Sequence, residues 1–340
     1  MKSFKLEKDL ELEELLAECK KEGLKFGLAL GSGSARGLAH VGVIQVLNAY
    51  HIPIDMIAGT SIGSVVGSLY ASGASIEQLM EAALSMKRSK TLALLDPALP
   101  HSGFIKGHRA EEIIKAIALK DKTFDDLNIP FAAVATVLKN GAKAVINQGR
   151  VIDAVRASIS IPGVFTPVKY RDYFLVDGGL VDPVPVDVVK DMGADIVIAV
   201  SLAKLRPRTV TLDMNEMLKK ENDEKDKSED TIIELKSIIQ QKIEEAKSTL
   251  KAPRIFEIIT QTIDIMESKI TEKSLEGTDI VIVPFGLKHV RDFDFDKAEK
   301  LIKGGIMATM NKIPEIKSVI RKNISFKKSK GKNKTDSKQM

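Results

Sequence analysis

Between residues 26 and 202, short apolar runs alternate with longer segments in which apolar residues recur at helical spacing. The short runs predict buried strands at 26–30, 54–58, 131–138, 143–147, 174–176 and 195–202. The longer segments predict helices at 38–50, 62–71, 76–86, 109–119, 151–158 and 186–192. Strands that alternate with helices in this way predict an α/β fold, with a mostly parallel central sheet between two layers of helices.

The alternation stops after residue 203 and resumes near the C-terminus. Residues 213–230 hold eight acids and four lysines with few large apolar groups, which predicts a solvated loop. A helical period follows over 231–274, and a strand at 280–283 and a helix at 296–310 are predicted to return to the core. We therefore expect five parts: an N-terminal amphipathic helix (1–24), the α/β domain (25–203), a charged loop with a helical insertion or lid (204–278), a returning strand and helix (279–316) and a basic disordered tail (317–340).

Composition excludes several classes of function. The chain has no Trp and 5% aromatic residues, so surfaces for stacking bases are scarce and no nucleic acid partner is expected. Its single cysteine cannot form an internal disulfide, and no Cys or His cluster has the spacing of metal ligands, so no metal is expected. The N-terminus lacks the apolar run of a signal peptide, and no run of ~18 apolar residues occurs, which predicts a cytoplasmic protein.

The net charge of +5 is concentrated at the C-terminus. Residues 321–340 carry eight Lys or Arg and one Asp, so the rest of the chain is close to neutral. Two interpretations of this tail remain open. It could bind anionic phospholipid at the inner face of the membrane, at ~1 kcal/mol per basic residue, or it could be a solubilising tail.

The first of three motifs is the loop Gly31-Ser32-Gly33-Ser34-Ala35-Arg36-Gly37, between the first predicted strand and the next helix. Its glycines allow a sharp turn, and the amides at a helix start favour an anion. By itself the loop could be an anion site, a dinucleotide-binding loop or a tight turn. Dinucleotide binding would require an acid at the end of the second strand, whereas that strand ends in Ala58-Gly59.

Ser61 lies in the second motif, Gly59-Thr60-Ser61-Ile62-Gly63, between a predicted strand and a predicted helix. Small neighbours on both sides of a serine allow the strained strand-to-helix turn from which nucleophilic serines project. The same residues would also suit an ordinary helix start with Ser61 as its N-cap.

Asp177 begins the third motif, Asp177-Gly178-Gly179, at the end of the predicted strand 174–176. Two glycines let the chain turn away while the carboxylate points into a cleft, although Asp-Gly is also a common turn. The motifs carry more information together than singly, because α/β sheets form their sites at the carboxyl ends of strands. Together they offer an anion-holding loop, an exposed serine and a carboxylate.

The order of these motifs resembles that of the patatin-like phospholipases, which include plant patatin, bacterial patatin-like esterases and the catalytic domain of neuropathy target esterase. The resemblance covers about residues 25–203. It extends to GLAHVGVIQVL at 37–47, ASISIPGVFTPV at 157–168 and LVDPVPVDVVKDMGADIVIAV at 180–200. One departure is visible, since many members have glycine at the positions of Ser32 and Ser34.

The resemblance implies a three-layer patatin-like fold and a hydrolase of lipid acyl esters that works without a catalytic histidine. Ser61 would be the nucleophile and Asp177 the proton acceptor, with an acyl-enzyme intermediate. The residues implied for the oxyanion hole are Gly31, Gly33, Ser34 and Arg36, of which Arg36 would brace the loop rather than touch substrate. The glycines that would support the motifs are Gly59, Gly63, Gly178 and Gly179. No metal or organic cofactor is implied, and the expected partner is the lipid substrate.

Two alternatives remain open at the level of sequence. A Ser-Asp-His triad would use Ser61, Asp177 and His289, which is the only histidine after Asp177. A non-catalytic protein could instead bind a lipid or a nucleotide on the same sheet. The other histidines, among them His40, have no partner that the sequence pattern identifies.

Overall fold

The computed structural model describes residues 9–86, 107–203, 255–288 and 290–336, without side chains for 255–257 and 330–336. The chain divides into a larger unit, Met1–Lys204 with Ile263–Met340, and a smaller one, Leu205–Thr262. The described part of the smaller unit is residues 255–262, which begin a helix. The predicted charged loop at 213–230 and the predicted helical period over 231–254 lie outside the described residues.

Eight strands form one mixed, mostly parallel sheet in the order β5-β6-β3-β2-β1-β7-β8, with β4 also paired to β3. The strands are β1 Phe26–Leu30, β2 Met56–Thr60, β3 Phe131–Val137, β4 Lys143–Ile146, β5 Val168–Tyr170, β6 Tyr173–Asp177, β7 Ile196–Val200 and β8 Ile280–Ile282. Strands β3, β2, β1, β7 and β8 are parallel, whereas β4 and β6 pair antiparallel with β3, and β5 with β6. Every residue of β1, β2 and β7 is buried, as expected for strands covered on both faces.

Helices cover both faces of the sheet. They are α1 Leu10–Lys21, α2 Ala39–Ala49, α3 Ile62–Ala71, α4 Ile76–Ser85, α5 His108–Ile114, α6 Val151–Ser158, α7 Val186–Asp191, α8 Ile255–Ser274 and α9 Ala298–Asp336. Leu28 and Leu30 of β1 belong to an apolar cluster with residues of α2, α3 and α9. Ala29, which points to the opposite face, belongs to a second cluster with residues of α7. The predicted α/β fold with a mostly parallel sheet is therefore confirmed.

The structure corrects the predicted C-terminal segment. The helix predicted at 296–310 is α9, which continues to Asp336 through most of the predicted disordered tail at 317–340. The apolar residues of this continuation recur at helical spacing and are buried, namely Ile313, Ile316, Ile320 and Ile324. The sequence predicts a disordered tail because basic residues are dense in this segment. These residues are compatible with a packed helix because they pair with acids near α1, as Lys317 does with Asp9 at 2.6 Å.

Replacing Ile320 by alanine should lower the free energy of unfolding by about 2–5 kcal/mol, because the side chain is fully buried and its loss leaves a cavity. Replacing the exposed Lys322 by alanine should change it by less than about 0.5 kcal/mol. Urea denaturation of both variants measures the two effects. Equal effects would contradict a packed helix in this segment.

Candidate active site

Strand register brings the second and third motifs to the same level of the sheet. Thr60 at the end of β2 pairs with Val134 of β3, and the next residue of β3, Ala135, pairs with Asp177 at the end of β6. Ser61 and Asp177 are therefore level with each other on the two sides of β3. Asp177 reaches this position on an antiparallel strand, which the sequence pattern did not predict.

Ser61 occupies a strained turn between β2 and α3. Its backbone has φ 54° and ψ −123°, a conformation that side-chain-bearing residues rarely adopt. The flanking glycines make the turn possible, because a Cβ on Gly59 would lie 2.5 Å from the carbonyl oxygen of Gly63, and one on Gly63 would lie 2.1 Å from that of Leu30. The Ser61 hydroxyl makes no N-cap bond to α3. The interpretation of this serine as an ordinary N-cap is thus wrong.

The Ser61 hydroxyl donates a hydrogen bond to the Asp177 carboxylate. Oγ of Ser61 lies 2.6 Å from Oδ2 of Asp177, and the residues are 5% and 1% exposed. The other carboxylate oxygen accepts the amide of Gly179 at 2.8 Å. Burial raises the pKa of Asp177 to about 6, against the two hydrogen bonds, which favour the ionised form. A carboxylate with a raised pKa is a better proton acceptor from a hydroxyl than a solvated one.

Ser158 supports the backbone of the turn at Ser61. The amide of Ser61 donates to Oγ of Ser158 at 2.9 Å, and that hydroxyl donates to the carbonyl of Val134 at 2.6 Å. Ser158 lies in the segment ASISIPGVFTPV, which carried part of the family resemblance but received no role in the sequence analysis. Its contacts identify it as a positioning residue.

The glycine-rich loop follows β1 and lies beside Ser61, because Leu30 pairs with Gly59 in the parallel register. For two of the four residues predicted for the oxyanion hole, the backbone amide already donates a hydrogen bond to another residue of the protein. The amide of Gly31 donates to Val200 at 3.1 Å and that of Arg36 to Gly33 at 3.1 Å.

The amides of Gly33 and Ser34 differ from these two. Neither donates a loop hydrogen bond to a described residue. Gly33 has φ 151° and Ser34 has φ 50°, so both adopt the backbone region that favours glycine. Two successive amides in such a turn can converge on an anion. Of the four residues predicted for the oxyanion hole, these two therefore have amides without a loop partner among the described residues.

The guanidinium of Arg36 is buried and braces the loop. Nη2 of Arg36 lies 2.6 Å from Oδ1 of Asp264 on α8, and Nη1 lies 3.6 Å from Oδ1 of Asp292. The backbone carbonyl of Asp292 also accepts the amide of Ala35 at 3.0 Å. Arg36 is 2% exposed, so it is not a solvated surface charge. Its side chain holds the loop against two segments that are distant in sequence.

His40 supports the same loop, although the sequence pattern identified no partner for it. The residue is fully buried, and its Nε2 lies 2.8 Å from the carbonyl oxygen of Gly31. Burial lowers the pKa of His40 to about 4, so the ring is neutral near pH 7. A neutral ring that donates from Nε2 to Gly31 fixes the first residue of the loop.

Glu267 on α8 is a second buried carboxyl group close to Asp177. Its Oε2 accepts the hydroxyl of Ser32 at 2.7 Å. Its Oε1 is so close to the third motif that a Cβ on Gly179 would lie 2.1 Å from it. Burial raises the pKa of Glu267, and the negative charge of Asp177 raises it further. No sequence signal pointed to this residue, because 235 positions separate it from Ser32.

Ser32 and Glu267 also line a small pocket, whose apolar wall includes Val184 and Leu202. Serine at position 32 is one of the two departures from the family's usual glycine. In this chain the hydroxyl of Ser32 donates a hydrogen bond to Glu267.

Several expectations concern residues or features outside this geometry. His289, required by the alternative triad, lies outside the described residues. The described residues contain no group of three or more His, Cys, Asp or Glu side chains that could hold a metal ion. Among the described helices, none combines the length and the apolar character needed to cross a membrane.

The part of the chain that contains Ser61 and Asp177 matches a known family. Residues 28–190 match the family model described as patatin-like phospholipase. The chain carries a patatin-like phospholipase domain. The resemblance inferred from the three motifs is thereby confirmed, and the sheet and its helices are the patatin fold.

Three relatives show how far the similarity extends. An uncharacterized NTE family protein of Mycobacterium tuberculosis is 41% identical over 52% of this chain and 49% of its own. Patatin-like phospholipase domain-containing protein 6 of Homo sapiens is 34% identical over 53% of this chain and 13% of its own. Lysophospholipase nte1 of Aspergillus fumigatus is 35% identical over 55% of this chain and 12% of its own. The aligned part of this chain thus corresponds to half or less of each of these curated relatives.

Replacing Glu267 by glutamine should stabilise the folded protein, and the gain should grow as the pH rises above about 4.5. Because the pKa of Glu267 is raised from 4.5 in the folded state, the unfolded chain loses this proton first, which favours unfolding as the pH rises. Glutamine avoids this cost and can still accept the Ser32 hydroxyl. Thermal unfolding of both proteins between about pH 4 and about pH 8 measures the gain.

Glu272, exposed on the same helix, provides the control. Replacing it by glutamine should change the free energy of unfolding by less than about 0.5 kcal/mol. A Glu267→Gln variant that is less stable than the parent protein throughout this range would contradict the raised pKa of Glu267.

Proposed function

We propose that this patatin-like phospholipase domain is a serine hydrolase that cleaves acyl esters of lipids, with Ser61 as nucleophile and Asp177 as general base. The observation that carries the proposal is the hydrogen bond of 2.6 Å between the Ser61 hydroxyl and the Asp177 carboxylate on a strained strand-to-helix turn. Strain of this kind costs of order 1–3 kcal/mol and is characteristic of functional sites.

In the acylation step, Oγ of Ser61 attacks the ester carbonyl while Asp177 takes the hydroxyl proton. The amides of Gly33 and Ser34 stabilise the negative oxygen of the tetrahedral intermediate, each by about 3–4 kcal/mol. The C–O bond to the leaving alcohol then breaks, and Asp177 returns the proton to that alcohol. The acyl group remains on Ser61 as an ester.

In the deacylation step, a water molecule attacks the acyl-enzyme and Asp177 accepts a proton from it. The fatty acid leaves, and the proton returns to Ser61. Burial of Asp177 favours both transfers, because desolvation makes the carboxylate more basic. The chain's own residues thus supply nucleophile, base and oxyanion donors.

The substrate class rests on the family and on the names of relatives. Those names include a phospholipase domain-containing protein and a lysophospholipase. We extend the proposal to phospholipids, lysophospholipids and simpler acyl esters, and to peripheral contact with an anionic membrane from the cytoplasmic side. A Ser-Asp-His triad through His289 and a non-catalytic lipid or nucleotide binder are the competing hypotheses.

Replacing Ser61 by alanine, or Asp177 by asparagine, should lower kcat/KM for a short-chain ester on the order of 10⁴-fold, because each removes a group that acts in the bond-breaking steps. The His289→Ala variant should retain activity. Loss of activity in a folded His289→Ala protein would favour the triad.

A fluorophosphonate probe separates catalysis from binding. It should label the parent protein at Ser61 and leave the Ser61→Ala variant unlabelled, because the probe requires an activated serine. A folded parent protein that resists the probe would favour the non-catalytic alternative.

Esterase activity should fall as the pH drops through about 6, because Asp177 must be ionised to accept the proton and burial raises its pKa to about 6. The acid limb of the kcat/KM profile measures this pKa in the free enzyme. A limb near 3.8, the ordinary pKa of aspartate, would show that Asp177 is not the desolvated base.

A further inference from the structure

The hairpin of β5 and β6 exposes aromatic side chains at the edge of the sheet. Strand β5 is the outermost strand on this side, and Tyr170 pairs with Tyr173 across the turn. Tyr170, Tyr173 and Phe174 are 54%, 44% and 49% exposed. Single exposed apolar residues are ordinary, whereas several adjacent ones mark an interaction surface.

Leu138, which follows β3, extends this cluster. It is 54% exposed, and its amide donates to the carbonyl of Phe174 at 2.8 Å. We refer to Leu138, Tyr170, Tyr173 and Phe174 as the hairpin surface. The register of β5 and β6 places the two tyrosines on one face of the hairpin and Phe174 on the other. Because apolar groups are exposed on both faces, the tip projects from the protein.

Basic residues border the hairpin surface. They are Lys139, Lys169 and Arg171, and none of them forms an ion pair within the part of the chain that the structure describes. The guanidinium of Arg171 lies 5.5 Å from the ring centre of Tyr170. Lysines on an edge strand protect it from pairing with other chains, but that role does not require exposed aromatic rings.

The hairpin surface lies close to the catalytic pair. Phe174 precedes Asp177 by three residues on β6, which corresponds to ~10 Å along the strand. Leu138 follows Ala135, the residue of β3 that pairs with Asp177, by the same number of positions. A surface bound at the hairpin tip is therefore close to the site where an ester would be cleaved.

We propose that the hairpin surface docks the protein on anionic phospholipid membranes, a step that rests on the proposed lipid-ester hydrolysis. Tyrosine and phenylalanine rings partition into the boundary between head groups and acyl chains, and neighbouring cations bind the lipid phosphates. A projecting tip with apolar groups on both faces fits a fluid bilayer that surrounds it. A flat protein partner would cover one face only.

The basic C-terminal segment is a weaker candidate for this role. Most of its described cations pair within the protein: Lys317 lies 2.6 Å from Asp9, Lys327 lies 3.6 Å from Asp195, and Arg321 and Lys328 bind acids of α1. Cations that already have acidic partners gain less from lipid phosphates. The charge of the tail is thus partly used in holding α9 to the protein.

Vesicle binding of the full chain tests the docking surface. All proteins carry Ser61→Ala, so that no lipid is consumed, and the vesicles are phosphatidylcholine with or without phosphatidylglycerol. The double variant Tyr170→Ser and Phe174→Ser should bind mixed vesicles about tenfold more weakly or worse. Phe326→Ser is the matched control, because Phe326 is 58% exposed and lies beside basic residues on α9. It should bind like the parent protein.

Charge variants test the second part of the surface. Replacing Lys169 and Arg171 by glutamine should weaken binding to mixed vesicles roughly fivefold for each residue and should leave the weak binding to pure phosphatidylcholine unchanged. Added salt should reduce the difference. Undiminished binding of both the aromatic and the charge variants would overturn the proposal, as would equal weakening by Phe326→Ser.

A soluble short-chain ester separates this proposal from the proposed function. With Ser61 intact, the hairpin variants should hydrolyse the soluble ester at the rate of the parent protein and lose activity only on vesicles. A parent protein that binds vesicles through the hairpin but cleaves no ester would refute the proposed function alone. If the variants instead dissociate a dimer of the parent protein in solution, the hairpin surface is an interface between copies and the docking proposal fails.

Discussion

The contact between Ser61 and Asp177 depends on the absence of side chains where three chain segments approach one another. A Cβ on Gly59 or Gly63 would meet backbone carbonyl oxygens at 2.5 and 2.1 Å, and one on Gly178 would lie 2.3 Å from that of Val134. These glycines allow the loop after β1, the turn after β2 and the end of β6 to pack closely together. Larger residues would separate the segments, and the hydroxyl and the carboxylate would lose their contact.

Electrostatics at this edge of the sheet favours reactivity over stability. The carboxyl groups of Asp177 and Glu267 are held where burial raises their pKa values, and a buried, ionised carboxylate costs free energy unless it is paired. Arg36, the buried cation of the glycine-rich loop, forms its ion pairs with Asp264 and Asp292 rather than with Asp177. The carboxylate beside Ser61 therefore keeps its basicity. Such compromises are common at catalytic sites, where activity and stability have different requirements.

Two groups of surface cations have different surroundings. The cations of α9 hold a helix whose apolar face packs on the core, whereas the cations of the β5–β6 hairpin surround exposed aromatic rings. A count of basic residues along the chain emphasises the first group, although most of its described charges have partners within the protein. The second group is smaller, and its proximity to Asp177 gives it the closer connection to the chemistry of the site.

The sequence by itself determined the features that depend on local patterns: the alternation of strands and helices, the turn around Ser61 and the glycines that follow Asp177. The spacing of apolar residues and the positions of glycines are properties of neighbouring residues, so a single sequence can reveal them. Tertiary structure decided which residues meet. The antiparallel position of β6, the support of Gly31 by His40, the acids that bind Arg36 and the contact of Glu267 with Ser32 all join distant segments. Such contacts follow from the order and register of the strands and the docking of α8, which leave no periodic signal in the residues they bring together.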